Sequence, residues 1–189
     1  GDIRDFYLAV FGKLLFVSAQ FIITGYQLYI FVDYMKQSSS IAAHSLSIMS
    51  TILLITGVAF AAIGGPLADK FHSLKLLVAI STVVMGLGVA APALDPAPWT
   101  MFVYAGLSGC AMGMYNSVDQ ALNVSVLPNP NNAAKDLGIV NLANSLGQVF
   151  GPIVAATIIS AAGYRMMFPA AGIMCLVGAI LILMIKKVH

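Results

Sequence analysis

Six runs of about twenty mostly apolar residues, set apart by short polar or proline-rich breaks, constrain this chain more than any other feature. They extend approximately over Phe6 to Tyr34, Ser45 to Ala68, Leu74 to Pro92, Pro98 to Leu122, Leu137 to Ala161, and Tyr164 to Ile185. About 20 apolar residues suffice for a helix to cross the hydrocarbon core of a bilayer. Inside that core every backbone N–H and C=O must be paired within the segment, so each run is expected to be helical. The breaks carry turn chemistry: Lys36-Gln37-Ser38-Ser39-Ser40, Asp95-Pro96-Ala97-Pro98, and Leu127-Pro128-Asn129-Pro130-Asn131-Asn132. The fold class that follows is an all-α integral membrane bundle of six transmembrane helices in one domain, residues 1–189.

Composition excludes the soluble alternatives. Of the 189 residues 60% are hydrophobic and 8% charged, against roughly 25% charged in a soluble domain. A net charge of +2 gives no footprint for nucleic acid. Cys110 and Cys175 each sit inside an apolar run, so neither a disulfide framework nor a metal site is expected, and no cofactor. The first run is too long for a cleavable signal, and a start at Gly1 suggests a fragment or a processed chain.

Basic residues give an orientation. One set of helix ends carries Arg4, Lys70, Lys75, Lys135, Lys186 and Lys187, the other only Lys36 and Arg165. Short loops rich in Lys and Arg stay in the cytoplasm, which places both termini there, with Tyr34, Trp99 and Tyr164 in the opposite interfacial belt. The expected location is the plasma membrane, the inner membrane of a bacterium.

Gly65-Pro66-Leu67-Ala68 in the second run recurs as Gly151-Pro152-Ile153-Val154 in the fifth. The six runs then fall into two triplets, at about residues 4–92 and 98–186, and an odd number of helices per triplet makes them inverted repeats. At about 100° per residue, Lys13, Gln20, Thr24 and Gln27 share one face of the first helix, with Tyr34 near it. Ser108, Tyr115, Asn116, Asp119, Gln120 and Asn123 form an arc on the fourth, and Asn141, Asn144, Ser145 and Gln148 a stripe on the fifth. The third and sixth are almost wholly apolar along their middles, so they are expected to face lipid, and the second is intermediate.

Such stripes are either interhelical hydrogen-bond glue or the wall of a water-lined cavity. The charges Lys13 and Asp119, at comparable depth, favour the cavity: they are expected to pair across it, or to bind a solute or a proton. The candidate solute-binding set is Gln20, Thr24, Gln27, Tyr115, Asn116 and Asp119, flanked by Asn144 and Gln148. Its amides suit a neutral hydroxylated solute such as a sugar, with Tyr26 or Tyr29 as a stacking surface.

Gly65-Pro66-Leu67-Ala68-Asp69-Lys70-Phe71-His72-Ser73-Leu74-Lys75 resembles the loop signature of the major facilitator superfamily, in which Gly65, Leu67, Asp69, Lys70 and Lys75 match. His72 stands where that family prefers glycine, and Ser73 departs too, as is commoner in C-terminal halves. Asp119-Gln120-Ala121-Leu122, and Lys135-Asp136-Leu137-Gly138 through Gln148-Val149-Phe150-Gly151-Pro152, are similar to the tenth and eleventh helices of bacterial members. Gly147 and Gly151-Pro152 partly match the family's antiporter motif, which belongs to another helix, so no antiport is implied.

The resemblance implies one half of a major facilitator fold, helices seven to twelve. It also implies a secondary transporter working by alternating access, with Gly65, Asp69, Lys70 and Lys75 in a gating loop and no enzymatic activity. The expected partners are a small-molecule solute, moved with a proton, the lipid bilayer, and a missing N-terminal half or a second copy of the chain. Three rival readings share parts of this pattern. A stand-alone structural or assembly protein has the same spans; an aquaporin-like channel lacks a second Asn-Pro-Ala repeat. A rhomboid-like protease is suggested only by Gly106-Leu107-Ser108-Gly109, and Asn123-Val124-Ser125 reads as an unused glycosylation sequon.

Overall fold

The computed structural model describes residues 2–186, with the side chains of Asp2, Gln120 and Pro130 left aside; Lys187 and His189 lie outside the described residues. The main helices are α1 (Asp2–Thr24), α2 (Ser39–Phe71), α3 (Leu74–Ala90), α4 (Pro98–Ser125), α5 (Ala133–Ala162) and α6 (Met167–Leu183). Local signals fix several of the boundaries. Ser38 Oγ accepts from Ile41 N at 3.4 Å to start α2, and Ser73 Oγ accepts from Leu76 N at 3.2 Å to start α3. Pro98 opens α4, and Gly163, at φ +88, ends α5.

At the end of α2, His72 adopts φ 53, a left-handed conformation costing a non-glycine residue roughly 1–2 kcal/mol. That strain accounts for the glycine the related signature prefers here. His72→Gly is expected to stabilise the protein by about 1 kcal/mol, read as a raised melting temperature in detergent.

Three expectations are corrected. The first run is not one helix: α1 ends at Thr24, followed by a short turn at Gln27–Tyr29 and a π-helical turn at Ile30–Tyr34. The break occurs where Gly25 passes Pro152 of α5; a Cβ on Gly25 would stand 3.0 Å from Pro152 Cγ. The second run is longer than its apolar stretch, 33 residues from Ser39 to Phe71, or about 50 Å at 1.5 Å per residue. Finally, five of the expected six helices are long and apolar enough to cross a membrane among the described residues. Pro98–Ser125 has the length, at 28 residues, but its polar arc dilutes its hydropathy.

Packing follows small residues. α2 lies along α4, α1 along α5, α3 against α4 and α6, and α6 against α1. At the α1–α5 crossing a Cβ on Gly151 would come within 2.6 Å of Ser18 O, and one on Gly147 within 2.8 Å of Val17 Cβ. At the α2–α4 crossing, added Cβ atoms would collide with Gly57 O at Gly113, with Thr56 at Gly109 and with Ser117 at Gly64. Close approach through glycine is how membrane helices gain van der Waals contact when both solvent and core are apolar.

Burial corrects the assignment of faces. α2, expected to be intermediate, is the most exposed span, and α5 follows it. Their outward apolar rows include Leu54, Ile55 and Val58 on α2, and Leu142, Val149 and Ile153 on α5. α3 is as buried as α1: Ser81 and Thr82 are inside, their hydroxyls bonded back to Leu77 O and Val78 O. Only one stripe of α3, Leu76, Ile80, Val83 and Leu87, is left outward.

Candidate functional site

α1, α4 and α5 enclose a cavity of about 230 Å³. From α1 it is lined by Lys13, Phe16, Gln20 and Phe21, from α4 by Met112, Tyr115 and Asn116, and from α5 by Asn144 and Gln148. These are turns of one face on each helix, which is why the polar stripes converge. Five of the expected solute-binding residues therefore meet: Gln20, Tyr115, Asn116, Asn144 and Gln148. A larger groove of about 280 Å³ between α3 and α6 is walled by aliphatic side chains with Gly172 and Pro169, and offers nothing to orient a polar ligand.

Charge sits at one end of the cavity. Lys13 Nζ donates to Asp119 Oδ2 at 2.6 Å, so the expected pair forms between helices. Asn123 Nδ2, one turn beyond Asp119, donates to the same oxygen at 3.1 Å. Phe16 stacks on Tyr115 with ring centroids 3.9 Å apart and 17° between planes, forming a flat wall. The Tyr115 hydroxyl lies beside the Asp119 carboxylate without reaching hydrogen-bond geometry.

The amides are uncommitted. Gln20 Nε2 contacts Met112 Sδ at 3.6 Å, and thioether sulfur is a weak acceptor. Among the described residues the side chains of Asn116, Asn144 and Gln148 make no hydrogen bond. Interhelical glue would have bonded them to one another. Their donors and acceptors are left to the cavity instead.

Other expected site residues lie elsewhere. Thr24 Oγ1 bonds back to Gln20 O at 3.1 Å within its own helix. Gln27 stands beyond the α1 break, away from the cavity lining. Asp119 is held behind Lys13 rather than lining the cavity. Tyr26 and Tyr29 tilt against each other at 6.1 Å past the break, and the aromatic pair at the cavity, Phe16 and Tyr115, is buried with its faces turned to each other. The sequence reading missed Phe16, Phe21 and Met112 as lining and Asn123 as the second donor to Asp119, although Phe16 follows Lys13 by three residues and Asn123 follows Asp119 by four.

The loop signature is spread over three jobs. Asp69 and Lys70 are exposed at the end of α2, with Lys70 Nζ 6.0 Å from the Phe71 ring. Lys75 Nζ instead donates to Ile185 O at 3.0 Å, near where Asp5 Oδ1 accepts from Lys186 N at 3.2 Å. Gly65 is not a close-approach residue within this chain, because a Cβ there meets nothing within 4 Å; Gly64 fills that role. Gly65→Ala is accordingly expected to leave stability unchanged or raised by up to about 1 kcal/mol, whereas Gly64→Ala lowers it, both read by thermal unfolding in detergent.

Ser108, the nucleophile of the protease reading, is fully buried, and its hydroxyl lies toward Gly88 of α3, whereas the described histidines, His44 and His72, stand near the two ends of α2. Asn123 is buried against Asp119 and cannot be glycosylated where it stands.

The family model for the Major Facilitator Superfamily matches residues 14–189. No curated protein matches the chain. Among solved structures, the proton:xylose symporter XylE bound to 6-bromo-6-deoxy-D-glucose aligns with TM-score 0.73 and 21% identity, over 96% of this chain and 44% of that one. The inward open xylose transporter XylE from E. coli aligns with TM-score 0.74 and 20% identity, over 98% and 48%. Its partially occluded form has TM-score 0.74 over 98% and 50%. The chain thus spans about half the length of the structures it matches.

Proposed function

The chain belongs to the Major Facilitator Superfamily, a family of membrane transporters and not of enzymes, and from that premise we propose that it is the C-terminal six-helix half of a secondary transporter. A small hydroxylated solute binds in the α1–α4–α5 cavity. The observation that carries this reading is the set of free amides, Asn116, Asn144 and Gln148, around a stacked aromatic wall. Its position as the C-terminal half rests on the Gly65–Lys75 signature with His72 and Ser73 at its departures. Two halves rocking about the cavity give alternating access.

Helix pairing supports the inverted repeat. Exchanging α1 with α4, α2 with α5 and α3 with α6 turns the α1–α5 pair into the α4–α2 pair, and the α1–α6 pair into the α4–α3 pair. The outward apolar rows of α2 and α5 are the seat of the other half, in keeping with the half-length match. Basic ends on one side, joined through Lys75, Ile185, Asp5 and Lys186, support two cytoplasmic termini in a plasma membrane. Asp69 and Lys70 act in the gating loop: Asp69→Ala is expected to slow transport by the full-length protein without changing solute affinity, and unchanged transport overturns that role.

The test of the site is binding. In a solute screen by thermal shift, a hit raises the melting temperature by linkage. Gln20→Ala and Asn144→Ala each weaken that hit about 3- to 10-fold, the worth of one hydrogen bond, while Gln27→Ala changes it less than about twofold. Equal affinity in all four proteins contradicts the assignment.

A further inference from the structure

The charged pair is asymmetric about the cavity. Lys13 lines it and Asp119 does not; their side chains are 15% and 7% exposed. Of the described lining residues only Lys13 is charged, so the charge this chain presents at the cavity is an ammonium whose counter-charge, Asp119, stands behind it. Behind Lys13, two polar atoms lack partners: Tyr115 Oη and Asn123 Oδ1, on residues each 1% exposed. An orphaned buried acceptor beside a carboxylate suits a carboxylic acid. Turning the Asn123 amide by half a turn would place Oδ1 where Nδ2 now donates, ready to accept from a protonated Asp119.

We propose that the solute is an anion, a small hydroxylated carboxylate held by the Lys13 ammonium, and that each anion enters with one proton bound to Asp119. This rests on the cavity being the solute site. Net charge decides it. Empty, the site holds one ammonium and one carboxylate. Loaded, it holds the ammonium, the solute carboxylate and a neutral Asp119, so the sum is again zero. The proton comes from solution onto an Asp119 oxygen, Lys13 keeps its own throughout, and proton and anion leave together. A neutral solute arriving with a proton would leave the largely buried Lys13 ammonium without its carboxylate partner, which is costly. A neutral solute is therefore bound without a proton or not at all.

The groups that could compete for the proton are few. Facing Asp119 are Lys13 from α1 and Tyr115 from its own helix, and the buried thiol of Cys175 is on α6. α5 presents the amides Asn144 and Gln148. The titratable groups of α2 (His44, Asp69, Lys70) and α3 (Lys75) lie toward helix ends.

Calorimetry on the full-length protein in detergent, with gluconate and glucose as probes, in two buffers of different ionisation heat, counts the protons. One proton taken up per gluconate is expected, with affinity falling as the pH rises. Asp119→Asn is expected to bind gluconate more tightly than wild type at pH 7.5, with no uptake and no pH dependence, and Lys13→Gln to lose it. Because either variant could fold poorly, the wild-type proton count stands by itself. Gluconate bound without a proton, or glucose bound and gluconate refused, overturns the anion inference; if Gln20→Ala still weakens that binding, the solute site survives. Binding of neither probe, or binding indifferent to Gln20→Ala, overturns both.

Discussion

Asp119→Leu with Lys13 left in place is expected to lower stability by about 3 kcal/mol, near the lower bound for removing one partner of a buried ion pair. The pair is 2.6 Å long and largely buried on both sides. Removing the carboxylate leaves an ammonium at the middle of α1, about three turns from either end, where its stem can carry it only part of the way to water. It also strips Asn123 Nδ2 of its acceptor. The double variant Lys13→Leu/Asp119→Leu, by contrast, is expected within about 1 kcal/mol of wild type, since an apolar pair of similar volume replaces two charges that were costly to desolvate. Unfolding of the four proteins in one detergent closes the cycle. Additive losses would show that the two charges do not depend on each other.

The second large effect is at the helix crossings. Gly113→Leu and Gly151→Leu are each expected to cost about 3 kcal/mol or more, or to abolish the packed bundle. At Gly151 the obstacle is the backbone of α1, with Ser18 O at 2.6 Å and the Phe21 carbonyl carbon at 2.8 Å from an added Cβ. At Gly113 it is Gly57 O and Ala61 N of α2. Backbone cannot swing aside as a side chain does, so the helices must separate, and the dispersion contact of the whole crossing goes with them. Monodispersity and melting temperature read the result. Tolerance of leucine at both sites would mean that the crossings are looser than the geometry requires.

Much of this was legible before any coordinates. Hydropathy and turn residues located the helices, and the 100° periodicity brought Gln20, Tyr115, Asn116, Asn144 and Gln148 to one cavity, because each helix can turn only one face inward. Lys13 and Asp119 were paired by depth alone, 106 residues apart in sequence. What stayed hidden depends on contacts between distant segments. The break after Thr24 falls where Gly25 meets Pro152 of α5, and a lone glycine in an apolar run does not by itself separate a break from a continuous span. Gly64 and Gly65 are indistinguishable in sequence, yet only one faces Ser117. The exposure of α2 was misread because its Ser and Thr residues resemble an inner stripe. Thr51 and Thr56 instead bond back to their own helix at Ser47 O and Ile52 O, which satisfies them without a partner.

Thiol labelling decides most directly whether the polar faces form a water-filled solute cavity or a dry packing seam. In a background with Cys110 and Cys175 replaced, Asn144→Cys and Leu176→Cys are treated with a membrane-impermeant thiol reagent in proteoliposomes. Asn144 lines the α1–α4–α5 cavity, and Leu176 is an exposed residue of the apolar α3–α6 groove. Rapid labelling of Asn144→Cys with an inert Leu176→Cys is the result expected of a transporter half with an open polar site. Equal inertness at both positions would contradict it, and would make the stripes of α1, α4 and α5 hydrogen-bonding glue.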